Sequence, residues 1–363
     1  MHRTRHLLFS LALVLATAIS VRADEVDDYL KTAMASMHIP GASIAVIKDG
    51  SLIKAEAYGL ADLENSIPTP PDTIYKIGSV SKQFIAAGIM ILVQDGKIAV
   101  DDKVSKYLRG TPPTWQAITL RHLLTHTSGL AREAPGFDPY KVQPDIDVIK
   151  TAYSLPLQFA PGEKWDYCNL GYYALAEIIH EVSGKPWGDF LAERVFAPLS
   201  MTSTQVTNAA KIIPKRAKGY VWNTDKYENA EDWLTLRPSG PFLSTVLDMA
   251  KWEAALQTDR ILKEPSKKEM WTPVTLNDGR KYPYGFGWEL DDWPADSPVP
   301  TGVPMICHEG TIPGFRAGFS RWPSYGLTVI VLTNRQGANM EALTANIATR
   351  VVPQLRTTPT PTK

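Results

Sequence analysis

The chain has 363 residues, with 38 Lys and Arg against 38 Asp and Glu, 44% hydrophobic residues and only 2 cysteines. That length supplies one large or two fused domains, and the even charge balance speaks against nucleic acid or an anionic membrane as the main partner. Two cysteines cannot build a disulfide framework or a structural zinc site, and prolines and glycines spread along the chain exclude collagen and low-complexity disorder.

Residues 1–23 read as an export signal: a basic start at Arg3 and Arg5, an apolar run from Leu7 to Val21, and a small residue at Ala23. The run is shorter than the roughly 20 residues that a membrane span needs. Cleavage would remove Arg3, Arg5 and Arg22, leaving 35 bases against 38 acids. The expectation is an exported protein, periplasmic or extracellular, with no membrane span once the signal is gone. An amphipathic helix is predicted over 24–38, followed by a hairpin of strands 41–48 and 51–58 turning at Asp49-Gly50. Helical character returns over 79–94. From 101 to about 234 the pattern is helices joined by Pro- and Gly-containing loops. A helix capped by Ser244 or Thr245 runs to Gln257, and strands are predicted at 284–290, 303–309, 314–322 and 326–333. A last helix spans 338–352, and 353–363 is expected to be a disordered tail rich in Thr and Pro. This order implies an α+β fold, an antiparallel sheet flanked by helices. Its discontinuous domain would comprise 24–84 and 235–352, with a mostly helical region, 85–234, inserted.

Three short groups carry chemistry. In Gly78-Ser79-Val80-Ser81-Lys82, serine and lysine three residues apart share one helix face. A hydroxyl is a weak nucleophile alone, and a neighbouring lysine can take its proton; the N–H groups at a helix start can hold an oxyanion. In Tyr167-Cys168-Asn169, the phenol is a candidate base and the amide a candidate grip on a substrate carbonyl. In His308-Glu309-Gly310-Thr311, glycine lets a substrate lie against a strand edge, and the Thr311 N–H is placed to complete an oxyanion hole with that of Ser79. Alone, each group reads more readily as a solvated helix face, a packed tyrosine with a capping asparagine, or a structural histidine.

Together, in this order, Ser-x-x-Lys, Tyr-x-Asn and a His-x-Gly triplet resemble the serine β-lactamase and penicillin-binding superfamily, in its class C-like branch. Thr119-Leu120-Arg121-His122-Leu123-Leu124-Thr125-His126-Thr127-Ser128-Gly129-Leu130, Leu243-Ser244-Thr245 and Tyr284-Gly285-Phe286-Gly287-Trp288 are similar to that branch as well, and the resemblance extends over roughly 25–352. It implies a β-lactamase/DD-peptidase-like fold and a covalent mechanism without metal or organic cofactor. Ser79 would form an acyl-enzyme, with Lys82 and Tyr167 sharing the proton and Asn169 orienting the substrate. The Ser79 and Thr311 N–H groups would hold the oxyanion, and His308, in the place of the family's cation, would hydrogen-bond towards Tyr167. His122 and His126 are assigned no chemistry, since the resemblance makes their stretch a structural turn. His180-Glu181 lacks the second histidine of a zinc motif, and no Gly-x-Ser-x-Gly elbow occurs.

The third group departs from the Lys-Thr-Gly of β-lactamases proper. Histidine is mostly neutral at pH 7, and a Glu309 facing the cleft would repel a substrate carboxylate; strand alternation could instead turn it away. On this reading an ester or amide is the favoured substrate, for a carboxylesterase or a D-amino-acid peptidase. The alternatives are a true class C-like β-lactamase or D,D-carboxypeptidase, and, in another class, a slow penicillin- or cell-wall-binding protein. The partner is a small ester, amide or cell-wall peptide. Cys168 and Cys307 read as two separate buried thiols rather than a bridge across the cleft. Trp222, Trp233 and Trp288 are candidates to line an acyl pocket, with core packing as their default role.

Overall fold

The computed structural model describes residues 25–208, 210–234, 238–290 and 303–356; the expected signal peptide and the end of the tail lie outside them. Helix α1 (25–36) leads into β1 (Gly41–Lys48), β2 (Ser51–Asp62) and β3 (Ile67–Pro68). Asp49 and Gly50 take positive φ of 49° and 77°, the pair that a tight turn between twisted strands requires. Strand β4 (Tyr75–Lys76) and a 3-10 turn, Gly78–Ser81, run into α2 (Lys82–Gln94). Helices α3 (Leu120–Leu124), α4 (Asp145–Lys150), α5 (Asn169–Ser183) and α6 (Trp187–Leu191) follow.

Beyond α6 the chain departs from the helical expectation. Residues 205–244 carry β5 (Gln205–Val206), the hairpin β6 (Tyr220–Asn223) and β7 (Lys226–Asn229), and β8 (Phe242–Ser244). Helix α7 (Val246–Leu256) is capped by Thr245, whose hydroxyl accepts the Asp248 N–H at 3.1 Å. After α8 (Glu264–Met270), β9 (Val274–Thr275) and β10 (Lys281–Tyr282), the predicted strand at 284–290 is absent. In its place a loop makes isolated bridges, Tyr284 to Glu289 and Glu289 to Cys307. Strands β11 (Ile306–Ile312), β12 (Phe315–Trp322) and β13 (Leu327–Thr333) and helix α9 (Met340–Val351) complete the order. The expected tail begins too early by four residues: Pro353–Arg356 forms a 3-10 turn that buries Leu355.

One antiparallel sheet joins the two ends of the chain in the order β11-β12-β13-β1-β2-β3. Its central strands are covered on both faces, so β1 and β13 read as unbroken apolar runs rather than alternating ones. Ile44, Val46, Val329 and Val331 join a core with α1 and α9. Ala45, Ile47, Ile330 and Leu332 join the larger core on the other face, which holds α2 and α5. Edge strand β11 lies against the Gly78–Ser81 turn, which places the third sequence group beside the first.

Candidate active site

Ser79 sits in the 3-10 turn, half-buried, and Lys82 opens α2 wholly buried. The Lys82 ammonium donates to Ser79 Oγ at 3.1 Å, to Asn169 Oδ1 at 2.9 Å and to the Ser239 carbonyl at 2.8 Å. It also lies 4.7 Å from the Tyr167 ring centroid and 5.3 Å from that of Tyr172. Its three protons therefore have three oxygen acceptors, as a buried ammonium demands. Asn169 is fixed in turn, its Nδ2 donating to Glu133 Oε1 at 2.7 Å. Burial raises the Tyr167 phenol above its ordinary value, a hydrogen bond from Ser79 opposing the rise.

Glycine at 78 and 310 brings the turn and β11 together. Gly78 has φ of 52°, and a Cβ there would stand 2.8 Å from the Thr311 nitrogen. One on Gly310 would fall 1.9 Å from the Ile77 carbonyl oxygen and 3.2 Å from the Ser79 nitrogen. Ile312 and Phe315 flank a two-residue turn, so the even residues of β11 bond to β12 and the odd ones point their amides outward. The bridge of Cys307 to Glu289 follows that alternation. The outward Thr311 N–H thus meets the Ser79 turn. Ser79, Asn169, Trp233, Ser239 and Thr311 line a pocket of about 230 Å³.

The same alternation places Glu309 away from Ser79, which corrects the expectation that it contacts substrate. Cys307 joins the core beneath α1 and α9, and Glu309 pairs with Arg316, which also donates to Thr311 Oγ1 at 2.9 Å. Its carboxyl is raised by burial and lies near Glu341 of α9. Cys168 belongs to the core on the opposite face of the sheet, and the two thiols are not joined.

His308 faces the site but does not bond to Tyr167, their ring centroids being 6.3 Å apart. Its Nε2 meets the Tyr284 hydroxyl at 2.9 Å, and that hydroxyl meets His126 Nε2 at 3.1 Å. Backbone groups fix the protons of this chain. The Cys168 N–H can only donate, so His126 Nδ1 accepts at 3.1 Å and His126 Nε2 carries its proton. The Glu309 carbonyl can only accept, so His308 Nδ1 donates at 2.6 Å. Tyr284 consequently receives from His126 and donates to the bare Nε2 of His308. Both rings are neutral, and burial, reinforced by the Lys82 charge, pulls His308 down to about 3 and His126 well below its ordinary value. The sequence reading gave His126 no role and Tyr284 none beyond a motif; 158 residues separate them. Among the tryptophans, Trp288 is core and Trp222 stacks on His38, which leaves Trp233 at the pocket.

A family model described as Beta-lactamase matches residues 26–354. Penicillin-binding protein 4* of Bacillus subtilis is 30% identical over 82% of this chain and 69% of its own. Among solved structures, the octameric penicillin-binding protein homologue from Pyrococcus abyssi superposes with a TM-score of 0.78 at 26% identity, covering 91% of this chain and 77% of that one. A D-amino acid amidase from Ochrobactrum anthropi SV3 gives 0.75 at 25% identity, covering 93% of this chain and 98% of its own.

Proposed function

This chain belongs to the β-lactamase family of serine hydrolases, and we propose that it is an exported hydrolase of esters or amides that works through an acyl-enzyme on Ser79. The observation that carries this reading is the Ser79 hydroxyl held at 3.1 Å by a buried Lys82 beside the Thr311 N–H. In the reacting form one of the three Lys82 protons has left to solvent; Ser79 Oγ attacks the substrate carbonyl as its proton passes to the Lys82 amine, and the Tyr167 hydroxyl can relay it by taking one proton and giving up its own. The tetrahedral oxyanion accepts from the Ser79 and Thr311 N–H groups. Collapse breaks the ester or amide bond, and the departing alcohol or amine takes the proton. Water then repeats the cycle on the Ser79 ester, with Asn169 orienting the acyl group.

Preference for an ester or an amide over a β-lactam rests on His308. Both its nitrogens are engaged and the ring is neutral, so a carboxylate next to the scissile bond meets no cation there. Similarity to a D-amino acid amidase supports the amide branch. The basic and then apolar start of the chain supports export.

Intact-mass spectrometry with turnover of short p-nitrophenyl esters, amino-acid p-nitroanilides and nitrocefin tests the reading. Ester or anilide turnover that Ser79→Ala abolishes, with weak nitrocefin hydrolysis, is expected. Fast nitrocefin turnover would make it a β-lactamase, and a lasting Ser79 adduct without turnover a penicillin-binding protein.

A further inference from the structure

A second cavity, of about 560 Å³, adjoins the Ser79 pocket. Pro313 lines both, and consecutive residues divide between them, Asp232 lining the larger and Trp233 the smaller. Close packing builds the wall of the larger one: a Cβ on Gly314, next to Pro313, would meet Gly219 Cα at 2.5 Å and the Ala230 methyl at 2.8 Å.

Lys76 reaches this cavity from β4, three residues before Ser79, and is only 4% exposed. Its ammonium lies 5.7 Å from the Phe315 ring centroid and holds Asp232 Oδ1 at 2.7 Å. The guanidinium of Arg216 stands 4.0 Å from the other oxygen of that carboxylate. The two cations converge because Arg216 bridges Ile74, the residue just before β4. Asp232 itself is 69% exposed. A buried ammonium needs an anion, yet the anion supplied here hangs from a surface segment and gives up little by turning into water. Of the cavity's other acids, Glu64 is engaged by Lys218, and Glu231 accepts from the indole of Trp233 at 2.9 Å.

We infer that this cavity is an anion subsite: Lys76 and Arg216 take the carboxylate of an extended substrate in exchange for Asp232, while the scissile carbonyl lies at Ser79. The inference rests on the Ser79 reading above. Three residues of chain hold the Cα atoms of Lys76 and Ser79 within about 11 Å, so the carboxylate belongs one or two residues beyond the scissile bond.

Equilibrium binding to Ser79→Ala protein tests the subsite apart from catalysis, with N-acetyl-triglycine and its C-terminal amide as probes and dissociation constants read by NMR titration. The acid is expected to bind at least tenfold more tightly than the amide. Lys76→Met on the same background should equalise them, and Asp232→Asn, which removes the internal competitor, should widen the gap further. A clamp that merely secures the 230–234 segment predicts no gap in any variant. Equal affinities, including no binding by either probe, or a gap that survives Lys76→Met, overturn the inference. Should Lys76→Met not fold, the widening expected of Asp232→Asn decides alone. Ester and anilide turnover by the wild-type chain reports separately on the Ser79 reading, so its failure is distinguishable from failure of the subsite.

Discussion

Replacement of Gly310 by alanine asks most of the site. The new methyl would stand 1.9 Å from the Ile77 carbonyl oxygen, whereas ordinary contact begins at 3.4 Å. Strand β11 and the Ser79 turn must therefore separate by about 1.5 Å, the difference of those two distances. Both are backbone, so no side chain can yield instead. A donor displaced that far from a hydrogen bond of about 2.9 Å no longer makes it, and Thr311 N–H ceases to serve the oxyanion. Loss of one such donor costs about 3–4 kcal/mol of transition-state stabilisation, so kcat on a p-nitrophenyl ester should fall about 100- to 1000-fold. KM should change little, because the bond strengthens only as charge develops. Far-UV circular dichroism and thermal melting establish that the variant is folded. A folded Gly310→Ala protein with kcat within threefold of wild type would refute the assignment of Thr311 to the oxyanion.

Tyr284→Phe takes the shared hydroxyl from two buried histidines at once, leaving an unsatisfied donor and acceptor at about 1–3 kcal/mol each. It also frees His308 Nε2 to take a proton, so the acid limb of kcat/KM should move to higher pH; an unchanged pH profile would count against the chain. Acid should destabilise the fold: His308, at about 3, and His122, held near 4 by burial, bind no proton in the native state at a pH where the unfolded chain, near 6.5, does. Their contribution is complete above pH 6.5 and is lost as pH falls towards 4, at about 1.4 kcal/mol per pH unit for each ring. Urea melts at pH 5 and 7 should differ by about 2 kcal/mol per ring, because the slope is shallower near 6.5; His126 adds in the same direction, and the difference should shrink by one ring in His308→Asn. Glu309→Gln should leave kcat/KM within about threefold of wild type for acidic and neutral substrates alike, since that side chain lies with Arg316 on the face towards α9; a selective gain for acidic substrates would return Glu309 to the cleft.

Local sequence made the first half of the site legible. Ser79 and Lys82 share a helix start, Tyr167 stands just before α5 and Asn169 opens it, and the unbroken apolar runs of β1 and β13 mark strands covered on both faces. Period-two alternation also contained the answer for Glu309: once His308 faces inward, its neighbour faces out. Illegible were the contacts made by loops. Residues 284–290 carry aromatic side chains suited to a strand, but Gly287 has φ of 76°, and a Cβ there would stand 2.8 Å from the Lys82 carbonyl oxygen. The segment is a loop because it must press its backbone onto the start of α2. No spacing rule announces that the same loop sends Tyr284 between His126 and His308. The hairpin Tyr220–Asn229 was missed for a related reason, since its pairing is short and its stacking partner, His38, lies at the other end of the chain.

The charge arrangement around Ser79 bears directly on substrate choice. At an effective dielectric of 20, a cation 4 Å from a carboxylate is worth about 4 kcal/mol, and one 10 Å away under 2. A lysine in the third group would place the larger figure beside the scissile bond; neutral His308 removes it. Lys76 and Arg216 restore a cationic pair further out, already satisfied by Asp232. A rigid bicyclic substrate with its carboxylate fixed beside the reacting carbonyl gains nothing at His308 and falls short of Lys76. An extended acid with one more residue reaches it, and a neutral ester or amide forfeits nothing in the pocket itself. The expected order of kcat/KM, among acyl groups of equal intrinsic reactivity, is therefore extended acid, then neutral ester or amide, then β-lactam. A Lys76→Met variant should bring the first down to the second and leave the third where it is.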